Sequence, residues 1–538
     1  MTTSQSRGGD LAAALLVGVL TMLVFSPVLR HGFIESWDDA EAITENPDYN
    51  PPRLSNLFHY WVPPPKREFY VPVTYTLWGL LAMRARGVAA DGRATFNPVW
   101  FHAANLLAHA IGAVLVFLIL RRLVRGRWAA LAGAMLFALH PFQVEAVAWA
   151  ASMYTPLSGM FALFATWQFL RFSDARQNGT RFAWGHYALA TIAFVLGMLT
   201  KPSIVAVPLI VAAIELGLRR RRLRQIALPL GVWVATSVPI VLATRIALPG
   251  TSVPAPDGPQ RAIVALDAVG FYLGKLVWPA GLVPDYGRSP RWVIAHPLAW
   301  LACLAPIGLL VACRLCWRRA HWAGTAAAAF AIGLLPTLGL APFDYQRYST
   351  VADRYAYLAM LGPAIVLAVV LCKYSGRATF AGALVLLSVL AGASVGQLRY
   401  WNDPWTLFSR TLERNPASLA ANNAFRYLLV MHGNESARAC TLNAGQLVAV
   451  GDRLLAQRRP QIAAAAYRLA IRRGADDAAT WDKLAEALVD IEDLAQAADA
   501  CRQALRLNPC DREAQVRLDQ VLDRLARLSC RPASQPAA

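Results

Sequence analysis

The feature that most constrains this chain is a series of uncharged apolar runs, each near the length needed to cross a bilayer, beginning with Leu11 to Leu29. About 20 apolar residues coiled as a helix span roughly 30 Å, the thickness of a hydrocarbon core. Lipid offers no hydrogen-bond partners, so such runs must satisfy their own backbone and are read as helices. Further runs fall at about 99–120, 128–141, 144–170, 186–200, 203–218, 226–247, 298–316, 322–340, 355–372 and 378–397. The expectation is therefore an all-α polytopic membrane protein with about eleven spans. The first run exceeds a signal-peptide core, has only Arg7 as a basic residue before it and lacks an A-x-A cleavage site, so it is expected to remain as a span.

Charge placement gives the expected orientation. The net charge of +19 would suit a nucleic-acid binder, but the arginines stand in short loops between apolar runs, where retention of basic residues on the cytoplasmic side explains them better. No nucleic-acid partner is expected. With the N-terminus inside, the inner loops carry Arg121, Arg122, Arg125 and Arg127, then Arg171, Arg176 and Arg181, then Arg219–Arg222 with Arg224, then Arg314, Arg318 and Arg319, then Lys373 and Arg377. The short outer loops hold Lys201, and Arg347 with Arg354. The loop after the first span and the C-terminus then share the outer face: periplasm at an inner membrane if the source is bacterial, endoplasmic reticulum lumen if eukaryotic.

From about residue 401 the composition changes to Ala, Arg, Leu and Glu at helical period. Ala463 and Ala464 recur 34 residues later as Ala497 and Ala498, Tyr467 as Cys501, and Leu454 as Leu488 and Leu522. That period, with Asn508-Pro509 closing a helix, resembles tetratricopeptide repeats. The expected organisation is a membrane domain over 1–400, helical repeats over 401–528 and a disordered tail over 529–538. Cys313 and Cys316 lie at a helix end with no second pair and read as packing; an oxidised pair among Cys440, Cys501, Cys510 and Cys530 stays open.

Chemistry-bearing residues gather in the expected outer loops. Asp38 and Asp39 follow Trp37 just past the first span, in a loop interrupted by Pro47, Pro51, Pro52 and Pro63–Pro65. One of the two carboxylates is expected to take a proton from a hydroxyl nucleophile while the other orients it. Arg354, and more weakly Arg347 and Lys201, are candidates for holding an anionic leaving phosphate; snorkelling, or an Arg354–Asp353 pair, is the alternative. Glu145 would assist the aspartates or bind acceptor hydroxyls, and His140 would hydrogen-bond the phosphate. Tyr70, Tyr75 and Trp78 near the loop exit would pack on sugar or prenyl chain, an interfacial aromatic belt being the alternative, and Trp37, His102 and Tyr355 are further expected residues of the acceptor and donor pocket. His102 and His109 are seven residues apart, which puts about 10.5 Å of helical rise between them, too far for one ion. No structural metal and no required cofactor are expected; a divalent ion at the aspartates remains open.

These motifs resemble a known family. Trp37-Asp38-Asp39, Glu68-Phe69-Tyr70-Val71-Pro72, Phe101-His102 with Asn105 and His109, the stretch from Leu136 through His140-Pro141 and Glu145 to Trp149, and Val351 through Arg354-Tyr355 to Leu358 follow the order seen in GT-C glycosyltransferases. The nearest resemblance is to protein O-mannosyltransferases with transmembrane and tetratricopeptide-repeat regions. That resemblance implies a polyprenyl-phosphate-linked sugar donor, with mannose a candidate sugar, a protein Ser or Thr hydroxyl as acceptor, inversion at the anomeric carbon, and an acidic residue of the first outer loop as base. Relatives commonly follow the glutamate with a basic–acidic cluster; here Ala151–Thr155 is uncharged, and the sugar stays open. The alternative is a non-catalytic membrane scaffold whose repeats recruit envelope or secretory partners.

Overall fold

The computed structural model describes residues 2–62, 70–88, 94–247, 256–432, 440 and 442–529. Glu68, Phe69 and the expected tail beyond Ser529 lie outside them. The chain divides into two compact units, Met1–Asp403 and Pro404–Ala538.

The first unit opens with α1 (Thr2–Phe25), two short loop-associated helices α2 (Leu54–His59) and α3 (Pro72–Ala85), and a small antiparallel hairpin, Arg86–Val88 with Ala94–Phe96. Then come α4 (Val99–Leu123), α5 (Arg127–Leu139), α6 (Phe142–Ala148), α7 (Tyr154–Gln177), α8 (Ala183–Met198), α9 (Val207–Ala213) and α10 (Leu223–Ala247). The unit closes with α11 (Gly258–Val277), α12 (Pro290–Ala295), α13 (Leu304–Leu315), α14 (Trp317–Leu334), α15 (Leu361–Lys373) and α16 (Arg377–Leu398).

Every expected apolar segment is helical in whole or part, but among the described residues five helices qualify as crossings by length and apolarity: Gly8–Arg30, Val99–Leu123, Leu223–Ala247, Pro297–Leu315 and Arg377–Trp401. α5 and α6 make a sixth if counted together across their 61° bend. The structure thus supports five or six spans where eleven were expected. The run 144–170 is broken: α6 ends at Ala148, a 3₁₀ turn covers Ala150–Met153, and α7 carries Thr155, Ser158, Thr166 and Gln168 among its buried residues. The segments at 183–198, 202–218 and 361–373 are apolar but short. α11 falls between the expected runs 226–247 and 298–316.

One core joins α1, α4, α5, α14 and α15 through residues such as Val17, Val116, Leu120, Ala134, Phe330 and Ile365. Glycines permit close approach here: a side chain at Gly133 would meet the Ala364 carbonyl at 2.5 Å, the small-residue device of packed membrane helices. A second core joins α7, α8 and α10, where the Phe194 and Trp233 rings stack at 4.8 Å. By contrast α16 leaves Leu384, Val385 and Val389 exposed on the protein, as lipid contact requires.

Ion pairs collect at one end of this helical unit. Asp10 accepts from Arg121 Nε at 3.0 Å and Arg127 Nε at 2.9 Å, while Asp174 takes Arg122, Arg219 and Arg221. The residues assigned from sequence to one set of loops therefore meet in space.

In the second unit, α17 (Pro404–Arg414) and α18 (Leu419–His432) precede α19 (Ala444–Ala456), α20 (Pro460–Arg472), α21 (Ala478–Asp490), α22 (Leu494–Leu507) and α23 (Arg512–Ser529). α19 and α21 start 34 residues apart, as do α20 and α22. Ala463, Ala464, Tyr467, Ala497, Ala498 and Cys501 are all buried, where small side chains let paired helices close together. Cys440, Cys501 and Cys510 are free thiols.

Candidate active site

The loop that follows α1 is built on one carboxylate. Asp39 is fully buried; its Oδ2 accepts from the Ile34 backbone N–H at 2.7 Å and its Oδ1 from that of Ala151 at 2.8 Å. The first bond closes a turn with the Trp37 N–H to Ile34 carbonyl contact of 3.0 Å. The second pins that turn to the 3₁₀ segment Ala150–Met153, whose position is set in turn by Asn105 donating to the Trp149 carbonyl at 2.9 Å. Burial is the largest influence on Asp39 and pushes its carboxyl up to about 7, against the two N–H donors. The Trp149 indole N–H stands near enough to favour the charged form, without the alignment of a hydrogen bond.

Asp38 differs from its neighbour. It is exposed, and its charge is felt by the phenols of Tyr154, Tyr348 and Tyr355. Trp37 packs edge-on against Trp149 at 6.0 Å.

Trp149 also lies 5.3 Å beneath the Arg354 guanidinium, which Tyr345 and Tyr355 flank at 4.4 and 4.9 Å. Glu145 binds this arginine twice: its Oε2 accepts from the Arg354 backbone N–H at 3.0 Å, and its Oε1 pairs with the guanidinium. Both side chains are almost wholly buried, at 2% and 5% exposure. Glu145 therefore serves Arg354 and is not open to an acceptor hydroxyl. Asp353 is not the arginine's partner; it accepts from the Tyr286 hydroxyl at 2.7 Å.

Lys201 reaches the same place from the link after α8. Its Nζ donates to Thr155 Oγ1 at 3.0 Å and sits 5.0 and 5.8 Å from the Tyr154 and Tyr355 rings. Among the described residues it has no carboxylate within ion-pair distance. Burial first, then the charge of Arg354, pushes its ammonium down to about 7. The link is fixed by α3, where Val73 N–H and Thr74 Oγ1 donate to the Leu199 and Thr200 carbonyls. Lys201, Arg354, Tyr355, Thr155, Ser203 and Thr337 line one cavity of about 380 Å³ including its open mouth.

The remaining candidates sit elsewhere. His140 spends both ring nitrogens, Nδ1 accepting from the Phe142 N–H and Nε2 facing the Leu276 carbonyl at 3.2 Å; it caps α6 and does not offer a donor to a phosphate. His102 faces the Gly32 carbonyl at 3.3 Å and props the loop from below. His109 binds Tyr357 and the Ala138 carbonyl. The Tyr70 hydroxyl donates to the Trp61 carbonyl at 3.0 Å, closing that end of the loop. Arg347 is exposed, stacked on Tyr348 at 4.7 Å, the tyrosine that also feels Asp38. For a divalent ion the aspartates fit poorly: both oxygens of Asp39 are held by backbone N–H groups, leaving only Asp38. Among the described residues no group of three acidic, His or Cys side chains could hold a metal.

Comparison with known proteins finds similarity to curated protein O-mannosyl-transferases. Protein O-mannosyl-transferase Tmtc2 of Drosophila melanogaster is 27% identical over 39% of this chain and 23% of its own length. Protein O-mannosyl-transferase TMTC3 of Homo sapiens is 28% identical over 35% of this chain and 20% of its own, and Tmtc1 of Drosophila melanogaster 31% identical over 26% and 16%. The chain is similar to these transferases over the matched stretches. It spans about a fifth of their length in the matched stretches, and no family model matches it.

Sequence reasoning passed over Tyr154, Thr155 and Tyr345, which stand against Lys201 or Arg354, and Tyr348, whose ring carries Arg347. The only local signal was their position next to Trp149 or Arg347. Uncharged residues carry no pattern that separates a cavity wall from a helix end.

Proposed function

We propose that this protein is an integral-membrane glycosyltransferase that moves a sugar from a polyprenyl phosphate to a protein Ser or Thr hydroxyl on the non-cytoplasmic face, with its N-terminus cytoplasmic. Asp38 accepts the hydroxyl proton as the oxygen attacks the anomeric carbon. The bond from that carbon to the phosphate oxygen breaks with its electron pair going to the phosphate, and the configuration inverts. Lys201 holds the phosphate directly, Arg354 adds positive charge from the cavity wall, and such stabilisation of growing negative charge is worth on the order of several kcal/mol. Asp39 is the positioning partner that anchors the loop. Residues 1–400 form the membrane domain, and the 34-residue helical period of the second unit is that of tetratricopeptide-like repeats, which grip the polypeptide acceptor on a concave face.

The observation that carries this reading is the cavity lined by Lys201 and Arg354 beside the tyrosines on which the Asp38 carboxylate acts. The test is release of polyprenyl phosphate from a short-chain polyprenyl-phosphate mannose by the purified protein with a Ser/Thr peptide. Asp38→Asn should cut release by about 10²–10⁴-fold with an unchanged melting temperature; full release by that variant would sink the assignment. One observation favours a second reading, a non-catalytic scaffold: Glu145 already neutralises Arg354. A scaffold would bind the lipid donor without turnover in the same assay.

A further inference from the structure

A second cavity lies at the other end of α7, a helix roughly 36 Å long at about 1.5 Å per residue. It encloses about 460 Å³ including its open mouth, between the end of α7 and the start of α10, with Ser173, Arg176, Gln177, Arg221, Gln225 and Ile226 in its wall. We propose that it binds the headgroup phosphate of an anionic membrane phospholipid.

Charge is the first argument. Arg122, Arg176, Arg219 and Arg221 gather around the two carboxylates of Asp174 and Glu215, which leaves a cationic surplus. Arg176 carries that surplus toward the opening: among the described residues it has no ion pair, and its guanidinium rests 5.8 and 5.6 Å from the Phe172 and Trp184 rings. Arg221 Nε–H is buried without a hydrogen-bond acceptor, its nearest carboxylate oxygen, on Glu215, standing 3.7 Å away. The other two Arg221 nitrogens are held by Gln177 and Asp174, so Arg221 is fixed in the wall as a buried positive charge and Arg176 supplies the guanidinium fork that suits phosphate oxygens. The backbone is committed to the arrangement: Arg220 adopts a φ of +58°, and the Arg221 N–H donates to the Glu215 carbonyl at 2.8 Å, turning the chain so that Arg221 faces inward.

Location is the second argument, and it selects a lipid over a soluble anion. The cavity opens where α10, a helix long and apolar enough to cross a bilayer, begins at Leu223. Phe182 and Trp184 are exposed beside it, as aromatic residues are at the headgroup level. Below the opening α10 presents Leu228, Val232 and Val234 to the outside, an apolar track for acyl chains. Basic pockets between helices at this level suit anionic lipid headgroups.

The test is native mass spectrometry of the full chain in detergent, with dioleoyl phosphatidylglycerol and dioleoyl phosphatidylcholine supplied in equal amounts. One phosphatidylglycerol should be retained in preference. Arg176→Gln, chosen because it breaks no ion pair, should lower that occupancy about five-fold, while Arg318→Gln, outside the cavity, should leave it unchanged. Equal retention of the two lipids overturns the proposal, as does an equal loss in both variants. Displacement of the lipid by millimolar inorganic phosphate would make the site one for a soluble anion and overturn it too.

Discussion

The two ends of α7 handle buried charge in opposite ways. At its C-terminal end Asp174 is shared among Arg122, Arg219 and Arg221, with the acid side chain still 32% exposed. At its N-terminal end the cations are few, mostly enclosed by Tyr154, Tyr345, Tyr355 and Trp149, and Lys201 has no acid of its own among the described residues. A crowded network spreads each charge over several partners, so the loss of one ion pair matters less. A sparse, aromatic-walled one makes each group indispensable and keeps the Lys201 ammonium enclosed without a carboxylate at ion-pair distance among the described residues.

The contrast can be pressed hardest at Glu145. Glu145→Gln leaves Arg354 buried without its counter-charge and should cost about 3–5 kcal/mol, read as lost thermal stability in detergent; a melting point within a degree of the parent would break the comparison. Lys201→Met should reduce donor turnover by about 10²-fold while sparing the fold, and Lys201→Arg should restore part of it. The pH response sharpens the point. Since the Lys201 ammonium is held down to about 7, it is protonated below that value and loses its charge above it. Donor affinity should therefore weaken as pH rises through about 7, by at most about ten-fold per unit, and the Arg variant should flatten the titration of affinity. Smallest is Asp174→Asn at the other end: a part-exposed pair in a network contributes about 1 kcal/mol or less, so chemical denaturation should barely move.

The sequence made the membrane character and the location of the acidic loop legible, because apolar length and proline punctuation are local properties. It did not separate Asp38 from Asp39. What separates them is a backbone N–H 112 positions away at Ala151, and no local pattern reports on it. The same holds for Glu145 and Arg354, singled out independently for contact with substrate groups and found bound to each other across 209 positions. Five or six described helices meet the length and apolarity of a span where eleven were expected, since uncharged runs interrupted by Pro or polar residues fold as bent or short helices. α11 escaped notice because Arg261, Asp267 and Lys275 interrupt its apolar residues.

The 61° break between α5 and α6, followed by the 3₁₀ turn at Ala150–Met153, has an evolutionary corollary. Ala151 N–H meets Asp39 only because the connector between α6 and α7 has its present length. One added residue would rotate everything after it by about 100°, swinging Tyr154 and Thr155 off Lys201 at the moment Asp39 loses its donor. Chains descended from this one should accept many exchanges of side chain within the connector and almost no change in its number of residues.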